Sequence, residues 1–186
     1  QKDGVQIKSR RYRSTEELLA NSQYKSSFKN GTMVHTFLNV HDYHRYHFPI
    51  SGKILEMLLI PGDEAIGGDV TFEPETKMYI IDCGVPQWQA IETRSLVILQ
   101  TEEYGLVAIM PIGMSQICSC NWVENVKVGQ DAKKGDELGY YLFGGSDFAM
   151  LFQDSVNVEM ACPGNGDGTY QHVLQGEKFL TLSKKN

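Results

Sequence analysis

Histidines are concentrated in one short stretch of the chain. His41, His44 and His47 fall within seven residues, and the whole sequence has five histidines. Imidazole is the side chain best suited to exchange protons near neutral pH. A single histidine is easily explained as part of a packed core, but three rings spaced this closely are not. Because Pro49 interrupts a regular strand ladder, the stretch is predicted to turn out of a sheet at its rim.

A glycine pair followed by serine lies far downstream of the histidines. Gly144, Gly145 and Ser146 separate two apolar runs, 138–143 and 148–152. Since glycine has no side chain, the pair permits a sharp or strained bend. A hydroxyl just after such a bend can turn back on the preceding carbonyl, which is the geometry that an intramolecular attack needs. An ordinary tight turn ended by a polar residue is the alternative.

Three interpretations of the histidine stretch stay open on residue types alone. The first is a solvated, aromatic-rich strand end. The second is a metal site in a β-barrel built on His41, His44 and His47, because imidazole suits zinc, iron and copper. Further ligands of such a site would come from His35, Asp42 or Glu56. The third is proton transfer that serves a nucleophile elsewhere, with Ser146 as that nucleophile.

Composition indicates one globular domain and narrows the range of partners. The chain has 186 residues, of which 41% are hydrophobic, and a net charge of -6. This charge argues against a nucleic-acid partner, which requires a basic face. No run is long enough for a membrane span and no signal-peptide pattern opens the chain. Four irregularly spaced cysteines indicate reduced thiols and a cytoplasmic location rather than a disulfide scaffold.

The pattern of elements predicts a mainly β fold, an α+β arrangement with few short helices. Ser14 and Glu17 form a capping box for a helix that includes Leu18 and Leu19, and a second helical turn is predicted over 24–29. Asn30 and Gly31 predict a turn. Runs rich in β-branched and aromatic residues predict strands over 32–40, 53–60, 78–81, 95–101 and 106–112. Residues 63–76 and 163–168 are predicted loops, and 126–130 and 134–139 short turns.

Several segments resemble the phosphatidylserine decarboxylase family. The histidine motif of this family resembles residues 37–40 and 43–47, together with Pro49 and Gly52. Its self-cleavage motif resembles residues 143–146. Further matching segments, in the same order, are 30–32, 94–101, 105–114 and 135–139. The resemblance covers residues 7–152 and is weakest over 63–90. It is strongest to the soluble branch typified by the fungal tryptophan decarboxylase of psilocybin synthesis.

The resemblance implies a phosphatidylserine-decarboxylase-like β-sheet domain made as a proenzyme. In such proteins the serine hydroxyl, here Ser146, attacks the carbonyl before it, here that of Gly145. The resulting ester breaks by β-elimination. The products would be residues 1–145 (the β subunit) and 146–186 (the α subunit), which stay together as a heterodimer. A covalent pyruvoyl group made from Ser146 would form a Schiff base with a substrate amine and accept the electrons released with carbon dioxide.

The resemblance also implies roles for individual residues. His47 takes the position of the base that activates Ser146, since a serine hydroxyl is a weak nucleophile without one. His44 matches the histidine implicated in decarboxylation, where it would protonate the carbanion. Tyr43 and Gly144 support the site, and His41 is structural or at its rim. No metal is implied.

Two departures from the family pattern stand out. The family triad includes an aspartate from an upstream segment that has no match here, because Asp3 lies too near the predicted helix. A chain that lacked this segment would be an unprocessed or truncated proenzyme. Asp147 stands where relatives often have serine or threonine. Its carboxylate would either repel a developing oxyanion or act as a local acid or base.

The resemblance leaves the substrate as an expectation. A free aromatic amino acid, tryptophan-like, is expected from the strongest likeness. The alternative within the family is phosphatidylserine, which would yield phosphatidylethanolamine, and membrane contact is expected only in that case. A lipoyl or biotinyl carrier is a further alternative, because Lys133 and Lys134 lie in a tight turn.

Overall fold

The computed structural model describes residues 6–7, 10–11, 18–39, 41–62, 69–75, 78–82, 92–114, 119–142, 146–162 and 171–185. Within these residues the structure has fifteen strands: β1 (Gln6–Ile7), β2 (Arg10–Arg11), β3 (Thr32–Leu38), β4 (Arg45–His47), β5 (Gly52–Ile60), β6 (Asp69–Glu73), β7 (Met78–Asp82), β8 (Thr93–Gln100), β9 (Leu106–Gly113), β10 (Asn121–Trp122), β11 (Asp131–Ala132), β12 (Glu137–Tyr140), β13 (Ser146–Phe152), β14 (Val156–Met160) and β15 (Leu180–Lys184). A 3₁₀ helix spans Lys25–Phe28. The predicted mainly β fold is confirmed.

An eight-stranded sheet forms the centre of the fold, in the order β11-β5-β8-β9-β13-β3-β1-β2. Its pairs are antiparallel except β1 with β3, which is parallel. A three-stranded sheet has the order β10-β12-β4, and β6–β7 and β14–β15 form two-stranded pairs. The strand β13 lies inside the large sheet, paired with β3 on one side and β9 on the other.

Each face of the large sheet buries its own apolar cluster. One face carries Met33, Met110 and Leu151, covered by Leu18, Leu19 and Phe28 of the amino-terminal segment. The opposite face carries Val34, Ile109 and Met150, and it packs against Tyr46, Leu138 and Tyr141. Side chains along a strand point alternately to the two faces. The three-stranded sheet, which contains Tyr46 and Leu138, therefore covers the second face only.

A close approach between strands holds the three-stranded sheet together. A Cβ atom at Gly139 of β12 would overlap the carbonyl oxygen of Asn121 and lie 2.5 Å from the ring of Tyr46. Glycine at this position thus lets β10, β12 and β4 come together around the Tyr46 ring. Tyr46 also donates its hydroxyl hydrogen to the Asn121 carbonyl at 2.6 Å.

Most of the predicted elements are confirmed, within a few residues at their ends. The structure confirms the helical state of Leu18 and Leu19 and the second helical turn. It also confirms the turn at Asn30, whose φ is +58°. The five predicted strands correspond to β3, β5, β7, β8 and β9. The capping box at Ser14 and Glu17 and the loop at 163–168 lie outside the described residues.

Two predictions from turn composition are wrong over part of their range, although the structure does have a turn at 134–135. The predicted loop over 63–76 contains β6, which pairs along its length with β7. Its Val70, Thr71 and Phe72 favour a strand, but the glycines and acids around them obscured that signal. The predicted turn over 134–139 contains most of β12, which forms its ladder with β4 and β10. That pairing is between distant segments and leaves little trace in local composition.

Among the described residues, no helix has the length and apolar character needed to cross a membrane.

Candidate active site

Ser146 is the first residue of β13 and is fully buried. It pairs with Leu38 of β3 and Gly113 of β9. By strand alternation its side chain lies on the same face as Phe148 and Met150. These side chains pack against the second cluster, where the Phe148 ring lies 6.0 Å from that of Tyr46. The Ser146 hydroxyl therefore faces the layer to which the histidine stretch belongs.

The histidine stretch leaves the large sheet after β3 and forms β4 of the smaller sheet. Within it Tyr46 is buried, and its ring meets the Tyr141 ring edge-on at 4.8 Å. His41 is exposed, and His44 and His47 are half-buried. The segment thus presents its imidazoles around a buried aromatic anchor, next to the face that carries Ser146.

His44 is connected to the residue after Ser146 through Tyr141. The His44 ring lies edge-on to Tyr141 at 6.3 Å, and the Tyr141 amide donates to the His44 carbonyl at 3.0 Å. The Tyr141 hydroxyl donates to the Asp147 carbonyl at 2.6 Å. Because the Asp42 carbonyl can only accept, His44 Nδ1 carries the proton in their 2.6 Å bond. In the neutral ring, Nε2 then holds the lone pair.

His47 is held in a defined tautomer by its neighbours. Its Nδ1 donates to the Gly135 carbonyl at 3.0 Å, because a carbonyl only accepts. In the neutral ring, Nε2 therefore accepts from the Tyr43 hydroxyl, also at 3.0 Å. The two rings stack with an angle of 13° between their planes, and Tyr43 is half exposed. The basic nitrogen of His47 is thus covered by a side chain at the surface.

The Ser146 hydroxyl makes no hydrogen bond within the described part of the chain. Neither His44 nor His47 is bonded to it, so the predicted proton transfer to an imidazole of this cluster stays a prediction. A buried hydroxyl without a partner costs about 1–3 kcal/mol. Such a group in a native fold requires an explanation, and a reactive role is one. The predicted site residues Gly144 and Gly145 lie outside the described residues.

The side chains considered as metal ligands do not come together within the described part of the chain. The described residues, which include His41, His44 and His47, contain no group of three or more side chains able to hold a metal ion. Two further ligands considered from the sequence have structural roles. The Asp42 carboxylate accepts from the Asn39 amide at 2.7 Å, which closes a turn. Glu56 accepts from the Ser22 hydroxyl at 2.5 Å.

Two important residues were not assigned a role from the sequence. Tyr141 connects His44 to Asp147, and His35 bonds to Asp147 with 2.7 Å between Nδ1 and Oδ2. His35 was considered only as a metal ligand. The signal available for Tyr141 was a polar aromatic residue in an apolar run close to the glycine pair. The signal for His35 was a histidine inside an apolar strand.

The sequence model of the phosphatidylserine decarboxylase family matches residues 1–181. The chain belongs to the phosphatidylserine decarboxylase family. This confirms the resemblance drawn from the histidine and glycine–serine motifs.

Individual relatives in this family include enzymes named for different substrates. The L-tryptophan decarboxylase of Psilocybe cubensis is 31% identical over 160 residues, 79% of this chain and 35% of that protein. A phosphatidylserine decarboxylase proenzyme of Fusobacterium nucleatum is 28% identical over 166 residues, 88% of this chain and 51% of the relative. Phosphatidylserine decarboxylase proenzyme 2 of Oryza sativa is 29% identical over 182 residues, 97% of this chain and 27% of the relative. The chain thus spans between 27% and 51% of the length of these relatives.

Alkaline pH is expected to destabilise the fold through Tyr46 and Tyr141. Burial is the main factor that raises the pKa of both phenols above the ordinary value near 10. Up to about pH 10 both states keep these protons, so the free energy of unfolding is unaffected. Above it the unfolded chain loses them while the native chain keeps them, and stability falls by up to about 1.4 kcal/mol per pH unit for each tyrosine.

Urea unfolding tests this expectation. The free energy of unfolding of the wild type and of Tyr141→Phe is measured at several pH values on either side of about 10. The variant should lose stability less steeply with pH, because one of the two phenols is absent. Identical slopes above pH 10 would show that Tyr141 is not protected from ionisation in the native state.

Proposed function

We propose that the protein is a pyruvoyl-dependent decarboxylase, a carboxy-lyase that cleaves itself between Gly145 and Ser146. The observation that carries the proposal is the Ser146 hydroxyl. It is fully buried, makes no hydrogen bond among the described residues, and faces the layer of His44 and Tyr141 at the start of a central strand. Family membership and the relatives named as decarboxylase proenzymes support the same activity.

The cleavage begins with attack of Ser146 Oγ on the carbonyl carbon of Gly145. The Gly145–Ser146 amide becomes an ester and the amine of residue 146 is released. Loss of the Cα proton of residue 146 then breaks its Cβ–Oγ bond, with the Gly145 carboxylate as leaving group. The dehydroalanine that remains tautomerises to an imine, and water hydrolyses this imine to the pyruvoyl carbonyl with release of ammonia. A buried, unpaired hydroxyl suits the first step, since no hydrogen bond within the described residues must be broken to move it.

The protein's own side chains supply the proton transfers. His47 Nε2 is the proposed acceptor of the Ser146 proton, because the Gly135 carbonyl fixes the proton on Nδ1. Tyr43 must release Nε2 before the nitrogen can act. His44, which lies against Tyr141, is the proposed donor in decarboxylation. The pyruvoyl carbonyl left at residue 146 would bind the substrate amine and accept the electrons released with carbon dioxide.

The two cleavage products are proposed to remain together. Residues 146–152 pair with β3 on one side and with β9 on the other along the whole of β13. Both partner strands belong to the amino-terminal product. Cleavage before Ser146 therefore leaves the new end of the second chain held between two strands of the first.

Ser146→Ala is expected to abolish cleavage, because the nucleophile is removed. Denaturing mass spectrometry of the wild type should show two fragments that separate between Gly145 and Ser146, with a blocked amino terminus on the second. The variant should remain one intact chain. Ser155→Ala, which removes an exposed hydroxyl, is the matched control and should cleave like the wild type. A wild-type chain that stays intact, or a Ser146→Ala chain that is still cut there, would contradict the proposal.

His47→Asn and His44→Asn are expected to separate the two steps. Loss of the base should slow the appearance of the fragments by about 10²–10⁴-fold in His47→Asn. His44→Asn should cleave at close to the wild-type rate, yet its kcat for carbon dioxide release should fall by about 10²-fold or more. The exposed His172→Asn serves as the control. Normal cleavage in His47→Asn would remove His47 from the proposed role.

The proposed substrate is a free aromatic amino acid. Next to Ser146, the face of β13 and its covering layer carry three aromatic side chains. The Tyr46 ring meets that of Tyr141 edge-on and lies tilted against that of Phe148. Aromatic side chains of this kind bind planar rings favourably. The name of the Psilocybe cubensis relative supports tryptophan, and that of the Fusobacterium nucleatum relative supports phosphatidylserine as the alternative.

Carbon dioxide release from labelled substrates distinguishes the two substrates. A panel of aromatic and aliphatic amino acids is compared with vesicles that contain phosphatidylserine. Release from tryptophan or another aromatic amino acid, at a rate well above that from the vesicles, is the expected result. Release from vesicles alone would assign the protein to lipid decarboxylation and would require membrane contact.

A cytoplasmic location is proposed from the thiols rather than from the site. Cys120 and Cys162 are buried in the reduced form, and each donates to a backbone carbonyl, that of Pro111 and that of Phe179 respectively. Buried reduced thiols are typical of proteins kept in a reducing compartment.

A further inference from the structure

A buried histidine–carboxylate pair lies directly beside the proposed cleavage site. His35 Nδ1 and Asp147 Oδ2 are 2.7 Å apart, with the His35 side chain 6% exposed and that of Asp147 fully buried. In the ladder of β3 and β13, Asp147 is opposite Phe37 and His35 is opposite Ala149. The pair is therefore diagonal across neighbouring strands, on one face of the sheet.

This pair lies on the face opposite to the Ser146 hydroxyl. Consecutive residues of a strand point to opposite faces. Asp147 shares its face with Ala149 and Leu151, which belong to the cluster under the amino-terminal segment. Ser146 shares its face with Met150, which belongs to the other cluster. The Asp147 carboxylate thus points away from the Ser146 hydroxyl, which removes it as a direct base for that hydroxyl.

The surroundings of Asp147 make its bond to His35 important. The cluster on that face consists of apolar side chains, and a carboxylate buried there without compensation is unfavourable. Arg94, a buried cation on the same face, donates to the carbonyls of Leu18 and Glu92. The main chain of Asp147 is fixed separately, by the Tyr141 hydroxyl at its carbonyl. Residue 147 is therefore held through both its side chain and its main chain.

We propose that His35 is a positioning residue for self-cleavage. Its bond to Asp147, the second residue after the scissile Gly145–Ser146 peptide, compensates a charge that would oppose the oxyanion formed at Gly145 during attack. Among the described residues His35 has no hydrogen bond to the Ser146 hydroxyl, and it acts through Asp147. This inference rests on the proposed self-cleavage, and it assigns a role to a pair that the histidine motif does not include.

The test compares cleavage rates of freshly folded chains, followed by mass spectrometry of the fragment that begins at residue 146. His35→Leu should slow cleavage by about tenfold or more, because the buried carboxylate loses its hydrogen bond to His35. Asp147→Asn alone should stay within about threefold of the wild type, since an amide oxygen still accepts from His35. In the double variant His35→Leu with Asp147→Asn, cleavage should return to within about threefold, because the charge is gone.

A matched control separates positioning from general stability. Leu151→Ala changes a buried residue of β13 on the same face and should lower the melting temperature. Its cleavage rate should nevertheless stay within about threefold of the wild type. If Leu151→Ala slows cleavage as much as His35→Leu at an equal loss of melting temperature, the role of His35 is structural and the inference is overturned.

The remaining outcomes are equally decisive. If His35→Leu does not fold, the single variant Asp147→Asn is compared with the double variant that also carries His35→Leu. These two proteins should cleave at equal rates within about threefold. A double variant slower than Asp147→Asn by about tenfold or more would overturn the inference, because His35 would then act without the charge. Wild-type cleavage in a folded His35→Leu chain would also overturn it and leave the proposed function standing. A wild-type chain that never cleaves would remove both proposals.

Discussion

The double pairing of β13 is the constraint on which the rest of the structure depends. Each residue from Ser146 to Phe152 has a partner in β3 and another in β9. This pairing fixes Ser146 at the first position of an interior strand, directly after the glycine pair. It also fixes the face to which each side chain of the strand points. The proposed nucleophile is thereby placed by a rigid sheet rather than by a loop, which is the more precise arrangement for a site.

Alternation along β13 divides the chemistry between the two faces. Ser146 points towards the aromatic layer that contains Tyr46 and Tyr141, next to the segment that carries the histidines. Asp147 points to the opposite face, where His35 compensates its carboxylate. A shift of one residue in register would exchange these two environments. It would place the carboxylate among the aromatic rings and the hydroxyl in the apolar cluster below.

Local sequence patterns were sufficient for the fold class and for most strands. Runs of β-branched residues bounded by turn residues predicted β3, β5, β8 and β9. The motifs identified the family and singled out His44, His47 and Ser146. What could not be predicted depends on contacts between distant segments. The bond of His35 to Asp147 joins residues 112 positions apart, and it follows from a strand register that no local pattern encodes.

The chemical state of the histidines was likewise beyond the sequence. The tautomer of His47 depends on the carbonyl of Gly135, which the ladder between β4 and β12 brings beside the ring. The link from His44 to Asp147 depends on where Tyr141 packs. Residue types alone left a solvated strand end, metal binding and proton transfer open. The described residues contain no metal-binding group of three, and proton transfer remains a proposal.

Residue 146 is proposed to become a carbonyl group held at the start of β13. Reaction of the native protein with hydroxylamine, followed by tandem mass spectrometry, tests this proposal without reference to any substrate. We expect an oxime on the amino-terminal residue of the fragment that begins at position 146. An uncut chain without an adduct, or an adduct confined to another residue, would contradict it.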